Sequence, residues 1–280
     1  MVYSLLRPIR KTIFSWRMLT CAHRVLPSFV ILGAQRSGTT TLYRYLSQHP
    51  LMLPAFQQEV HFFDDNFGRG LDWYRAHFPF TVHRDLVART HEGSPVTGEA
   101  SGYYLLHPHA VRRISEVLPE AKLIVLLRNP IERAWAHYHQ SVGKGETLSF
   151  EEAIRKESER IEDEREKMLT DESYVSRKYR RFSYLTRGLY AEQIGAVRAR
   201  FREEQLLILR SEDLLFDDPI APVGRATAFL GLPSFSPRVI IRPRDYYPPI
   251  PGATRRWLAE FFSEPNRRLY QQEDVDFGWE

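Results

Sequence analysis

Phe29-Val30-Ile31-Leu32-Gly33-Ala34-Gln35-Arg36-Ser37-Gly38-Thr39-Thr40-Thr41-Leu42 decides how this chain folds. An apolar, β-branched run ends in a loop bounded by two glycines, and hydroxyl residues then open a helical pattern. The N–H groups of such a loop and the N-terminus of the helix point at one place and favour an anion there. The spacing Gly33-x4-Gly38 matches a nucleotide P-loop, but the lysine needed after the second glycine is replaced by Thr39. The cation, Arg36, stands inside the loop instead. The phosphate gripped here is therefore not the β/γ end of ATP or GTP.

Outward from this loop, strands alternate with helices. Strands are expected at Phe29–Leu32, Gly98–Ser101, Lys122–Leu127 and Gln205–Leu209, with a short β-like piece at Val60–Phe63. Helices are expected over Gly38–Ser47, His107–Leu118, Pro130–Ser141, Phe150–Leu169, Leu185–Arg202 and Pro219–Leu230, the last capped by Gly231. Two more, Thr254–Phe262 and Pro265–Gln271, close the chain. The fold class that follows is α/β: a P-loop-like, largely parallel sheet flanked by helices on both faces. Ligands of such sheets sit beyond the carboxyl ends of the strands, where the Gly33 loop and Arg128 both fall.

At 280 residues the chain suits a basic helical extension, 1–28, and one α/β domain, 29–280. The single cysteine, Cys21, excludes an internal disulfide framework and a cysteine metal cluster, and permits a reducing compartment. No apolar run spans a bilayer, and the N-terminus lacks the continuous core of a secretory signal, so a cytoplasmic chain is expected. Leu5, Leu6, Ile9, Ile13, Phe14 and Trp16 can form one face of a basic amphipathic helix. That helix either packs on the domain or makes a peripheral contact with a membrane surface. Trp16, Trp73, Trp135 and Trp257 are expected in the core or at interfaces.

Charge is unevenly placed. No acid precedes Glu59, whereas seven arginines and lysines do, which suits a multiply charged anionic ligand. No helix-turn-helix, zinc-finger or aromatic RNA-binding motif accompanies it, so nucleic acid is not the expected partner. No histidine group has metal-ligand spacing, and no metal is expected.

Two further motifs carry chemistry. The buried run Leu123–Leu127 stops at Arg128-Asn129-Pro130. NTPases end a comparable strand in an aspartate that helps hold Mg²⁺; an arginine repels a metal and forks onto phosphate. In Glu59-Val60-His61-Phe62-Phe63-Asp64, an extended backbone puts Glu59 and His61 on one side. A carboxylate beside an imidazole can take a proton from a hydroxyl, or the two can form a structural ion pair.

The loop Gly33–Thr41, Glu59–Asp64, Arg128-Asn129-Pro130-Ile131-Glu132-Arg133 and the tail Asp276-Phe277-Gly278-Trp279 follow in this order. The set resembles the sulfotransferases that use 3′-phosphoadenosine 5′-phosphosulfate, above all the glycan-modifying branch of the heparan sulfate glucosaminyl enzymes. The likeness runs from about Phe29 to Trp279. It implies transfer of a sulfuryl group to a hydroxyl, less readily an amine, of a carbohydrate or glycolipid acceptor, without metal. It implies that Gln35, Arg36, Ser37, Gly38, Thr39 and Thr40 hold the 5′-phosphosulfate. Arg36 stands where the family places a lysine near the leaving group's bridging oxygen. Arg128 is implied to bind the 3′-phosphate, and Glu59 to be the general base, with His61 and Asp64 around it.

Two departures stand out. The family's serine eight residues after the strand-end arginine is Ala136 here, with Ser141 or His137 as substitutes. A lost charge-assisted hydrogen bond costs about 1.5–3 kcal/mol. The family's late glycine-rich loop is altered, leaving Arg242 or Arg244 to serve the cofactor. The basic stretch Arg177-Lys178-Tyr179-Arg180-Arg181, with aromatics at Tyr174, Tyr179, Phe182 and Tyr184, forms either a wall of the acceptor cleft, with Arg177, Lys178 and Arg181 toward the substrate, or a solvated face answering the acidic helix before it. Two other readings fit parts of the pattern: an atypical P-loop kinase or GTPase, which needs Mg²⁺, and a non-catalytic nucleotide-binding protein of the same fold.

Overall fold

The computed structural model describes residues 2–240 and 247–279. The candidates Arg242 and Arg244 lie outside the described residues. The helices in chain order are α1 (Val2–Leu19), α2 (Thr39–Leu46), α3 (Leu71–Arg75), α4 (Thr81–Thr90), α5 (Ala110–Val117), α6 (Pro130–Val142) and α7 (Phe150–Arg155). They continue as α8 (Glu157–Thr170), α9 (Arg177–Phe182), α10 (Tyr190–Arg198), α11 (Ser211–Leu215), α12 (Ile220–Phe229) and α13 (Gly252–Glu273).

Four strands, β1 (Phe29–Gly33), β2 (Gly98–Ala100), β3 (Lys122–Leu127) and β4 (Leu206–Arg210), form one sheet in the order β2-β1-β3-β4. Every pairing is parallel. Alternation along β1 and β3 feeds two cores. Val30, Leu32, Leu123, Val125 and Leu127 join the cluster on one face. Phe29, Ile31, Ile124 and Leu126 join the cluster on the other. Both faces are thus covered, as parallel sheets require. The chain leaves β1 toward β2 on one side and β3 toward β4 on the other. The switch point therefore falls between β1 and β3, and the loops after these two strands flank the crevice.

Several expectations are corrected. Val60–Phe63 is not a strand: the segment turns, and His61 takes a left-handed φ of 54°. The expected helix Phe150–Leu169 is two helices, broken at Lys156, where φ is −88° and ψ is 4°. The two expected C-terminal helices are one, α13, running through Pro265. Leu258 and Phe262 before this proline, and Leu269 after it, are all buried. Their burial outweighs the roughly 3 kcal/mol an interior proline costs. Trp135 is buried, but Trp16 and Trp257 are exposed.

The N-terminal helix docks on the domain. Phe14 packs its ring on His77 at 4.6 Å and on Phe56 at 6.0 Å. Arg17 donates from Nε to the Ala76 carbonyl (2.6 Å) and from Nη2 to the Phe78 carbonyl (2.7 Å). Ile9, Ile13 and Trp16, expected on that same face, point elsewhere and are exposed. At the other end of the chain, Trp279 is buried against Tyr190, Tyr270 and Phe277.

Candidate active site

The loop after β1 is shaped by its backbone. A Cβ on Gly33 would meet Leu105 Cβ at 2.9 Å, so glycine is required by close approach. Gly38 caps α2 with φ 90°, a conformation that glycine adopts at no steric cost. Between them Arg36 also takes a positive φ, 70°, a strain of roughly 1–2 kcal/mol held by its surroundings. The loop is tied to the sheet by Ala34 N–H donating to the Leu126 carbonyl (2.8 Å) and to α11 by Ser211 Oγ donating to the Ser37 carbonyl (2.8 Å). The first N–H groups of α2 have no carbonyl within the helix to bond.

Arg128, one residue past β3, crosses the switch point and donates from Nη1 to the Arg36 carbonyl (3.1 Å). Burial lowers its pKa from the ordinary arginine value, while Glu132 and Glu212 oppose that effect. Arg36 Nη2 donates to Tyr247 Oη (2.7 Å), and Tyr247 stacks on His139 at 4.3 Å. Among the described residues, Gln35 Oε1, Ser37 Oγ, Thr41 Oγ1 and Arg128 Nε are polar atoms around the loop that are buried without a partner. All but the first can donate. Buried, unsatisfied donors beside a helix N-terminus and two guanidinium groups fit an oxyanion of phosphate or sulfate type.

Gln35, Arg36 and Arg128 line a cleft of about 1080 Å³, just above the usual range for ligand pockets. Gln35, Arg36, Gly38, Thr39, Thr40 and Arg128 form one part of its wall, and Glu59, His61, Arg177 and Arg181 another. The structure therefore brings together most of the residues singled out in the sequence. Ser37 is fully buried and off the cleft lining. Asp64 is likewise buried, behind His61. Lys178 is off the wall: its Nζ lies 3.9 Å from Glu164 Oε1 on α8, with its side chain mostly exposed. Ala136 is buried and contributes no polar atom, whereas Ser141 and His137 reach the cleft.

The turn that carries Glu59 is held from below. Glu99, at the centre of β2 and fully buried, accepts from Val60 N–H (3.2 Å), Ser101 Oγ (2.6 Å), Tyr74 Oη (2.8 Å) and Tyr104 Oη (3.0 Å). Ser101 Oγ in turn accepts from His61 N–H (3.0 Å), and Tyr104 Oη from Phe62 N–H (2.7 Å). Three consecutive backbone N–H groups are thus fixed by one carboxylate, directly or through a hydroxyl. Every group around Glu99 donates, as an ionised carboxylate demands. Burial nonetheless pushes its pKa up to about 7, against the pull of Ser101, Tyr74 and Tyr104.

His61 Nδ1 lies 2.7 Å from Asp64 Oδ2, and Nε2 lies 3.6 Å from Glu59 Oε2. Burial alone would lower the imidazole pKa; Asp64 and Glu59 outweigh it and raise it to about 9. Arg180 Nη2 sits 2.9 Å from the same Nε2 and can donate to it only when the ring is neutral. Two carboxylates against one guanidinium set the sign, and we take the ring as charged. Charged His61, 3.6 Å away, is the largest influence on Glu59 and holds its carboxyl below the ordinary glutamate range, so it stays ionised. Its side chain is half exposed toward the cleft.

Arg180, part of the basic stretch but not singled out within it, also lines the cleft. It pairs with Asp65 and touches His61. Arg177, Arg180 and Arg181 fall at i, i+3 and i+4 of α9 and share a face, and Lys178 does not. Helical periodicity within the basic run was the signal available.

The sulfotransferase domain family model matches residues 26–242, more than half of the chain. The chain belongs to the sulfotransferase family. A sulfotransferase from Alicyclobacillus acidocaldarius has the same fold: it is 30% identical, with a TM-score of 0.68, and the alignment covers 90% of this chain and 98% of that one. Human heparan sulfate glucosamine 3-O-sulfotransferase 6 is 30% identical over 91% of this sulfotransferase and 74% of its own length. The membrane-associated sulfotransferase kil1 of Dictyostelium discoideum is 26% identical over 91% and 67%. The α/β fold and the class of enzyme, a transferase of sulfuryl groups, are thereby shown.

Proposed function

We propose that this sulfotransferase moves a sulfuryl group from 3′-phosphoadenosine 5′-phosphosulfate to a hydroxyl of a carbohydrate or glycolipid. The observation that carries the reading is that Glu59 shares one cleft with the Gly33–Gly38 loop, Arg36 and Arg128. The relatives named for 3-O-sulfation of heparan sulfate glucosamine support a sugar hydroxyl over an amine.

The free loop N–H groups, Arg36, Thr39 and Thr40 would hold the 5′-phosphosulfate, and Arg128 the 3′-phosphate. Bound there, the donor supplies the sulfuryl group and leaves as adenosine 3′,5′-bisphosphate. Arg36 and the α2 N-terminus stabilise negative charge that grows on the leaving phosphate, as fixed dipoles and cations do without reorganising. These groups supply positive field at the loop, which supports a reaction that needs no metal. Glu59 accepts the acceptor's hydroxyl proton on a carboxylate oxygen, the service of a positioned base. His61, charged and anchored on Asp64, orients Glu59, and Arg177, Arg180 and Arg181 supply positive charge on the acceptor side of the cleft. Cys21 as the sole cysteine supports work in a reducing, cytoplasmic setting, and peripheral membrane contact belongs with that reading.

Glu59→Gln tests it. With labelled phosphosulfate donor and a desulfated glycan, turnover should fall about 10²–10⁴-fold while affinity for adenosine 3′,5′-bisphosphate is kept. Near-normal turnover would remove Glu59 as the base.

A further inference from the structure

A cation that stabilises charge growing on a leaving group must be held in place before the reaction, because fixed groups need no reorganisation. An arginine side chain is long and rich in rotamers, so it acts this way only when its far end is anchored. The backbone of Arg36 is set by the loop, with Arg128 Nη1 donating to its carbonyl. Its guanidinium is met from across the cleft by Tyr247, which lies more than two hundred residues later in the chain.

Tyr247 is itself firmly placed. Its ring lies flat on His139, with centroids 4.3 Å apart and planes 6° from parallel. His139 in turn meets the Trp135 ring edge-on at 4.3 Å. Trp135 Nε1 donates to the carbonyl of Pro248 (2.9 Å), which pins the chain one residue after Tyr247. Ile250 is buried in the cluster that holds Ile131, Trp135 and Phe150. Residues 247–250 thus form a short strap laid on α6 and lining the cleft. Stacking on His139 needs only the ring of Tyr247. The hydroxyl is the part that reaches Arg36, accepting from Nη2 at 2.7 Å, the length of a charge-assisted bond. A guanidinium has five N–H donors, so this bond is compatible with a fork onto an oxyanion in the same cleft.

We propose that Tyr247 is a positioning residue for Arg36: its hydroxyl, fixed by the stack on His139, holds the guanidinium beside the Gly33–Gly38 loop. The effect on rate rests on the sulfuryl-transfer reading given above; the hold on the guanidinium does not.

Tyr247→Phe keeps the ring and deletes the hydroxyl. In the full chain, with labelled phosphosulfate donor and a desulfated glycan, kcat should fall about tenfold or more. Affinity for adenosine 3′,5′-bisphosphate should stay within about threefold of the parent, with an unchanged melting temperature. A second measurement needs no turnover. In side-chain NMR of the chain with isotope-labelled arginine, the Arg36 signals are assigned by their loss in Arg36→Lys. They should show hindered rotation of the guanidinium in the parent and fast averaging in Tyr247→Phe. Parental kcat in the variant, a loss shared equally with nucleotide affinity or stability, or unchanged Arg36 signals would overturn the assignment. Arg36 signals that average in the variant, in a chain whose parent transfers no sulfuryl group, would uphold the role of Tyr247 and count against the proposed reaction instead.

Discussion

Glu99 is not among the residues that line the cleft, yet it fixes the backbone of the turn that carries Glu59. Replacing one acceptor oxygen by an amide, as in Glu99→Gln, sets a donor against the hydroxyl of Tyr74 or Tyr104, or against the donors on the Ser101 side. Transfer should drop roughly 10–100-fold through kcat, with nucleotide affinity unchanged, because positioning of a base is lost and not the base itself. Equal losses in nucleotide affinity would assign Glu99 to general folding. Arg128→Ala should weaken adenosine 3′,5′-bisphosphate by about 1.5–3 kcal/mol and adenosine 5′-phosphate far less. Competition titrations read both.

His61 gives a pH signature. Its pKa is raised in the folded chain, so its stabilisation is fully present below the ordinary 6.5 and is lost as pH rises through about 9. The melting-temperature gap between the parent and His61→Asn should therefore shrink across that window, from an advantage of the order of 2 kcal/mol. A gap that grows instead would mean that the ring is held neutral by Arg180.

At the scale of elements, α9 presents the arginines that line one side of the cleft because α8 holds it. Ser176 caps α9, accepting from Tyr179 N–H (2.9 Å), and Glu164 on α8 accepts from Tyr174 Oη (2.9 Å). Arg187 Nη2 donates to the Arg180 carbonyl (2.8 Å). Ser176→Ala should cost about 1 kcal/mol of stability and raise the acceptor KM while leaving the nucleotide KM in place. Calorimetry and steady-state kinetics check the two halves.

The sequence was legible where an element's own residues decide it. β3 was read to the residue at both ends, and β1 to within one, because apolar runs bounded by turn residues fix themselves. The glycine-bounded loop after β1 was legible for the same reason. The turn at residues 60–64 was not: its alternating pattern says strand, and the groups that bend it, Glu99, Ser101 and Tyr104, come from another part of the chain. Within the basic stretch Lys178 was singled out in place of Arg180, because only the helical period tells which of its cations share a face. Pro265 marked an expected break that burial on either side overrides.

Across the whole molecule, the parallel order β2-β1-β3-β4 does one thing for function: it sets the loop after β1 beside Arg128 after β3. The two cores buttress the sheet from either face, and Trp279 near the end of the chain fills one of them. Nucleotide bound at the switch point should therefore stabilise the entire fold. Adenosine 3′,5′-bisphosphate at about 100 times its Kd adds about 2.7 kcal/mol, read as a rise in melting temperature of several degrees.

The seating of a doubly phosphorylated adenosine at the switch point is best measured by calorimetric titration of the folded chain in chelator. Adenosine 3′,5′-bisphosphate should bind with or without Mg²⁺, and adenosine 5′-phosphate at least tenfold more weakly. Binding that requires Mg²⁺, or that ignores the 3′-phosphate, would contradict the account.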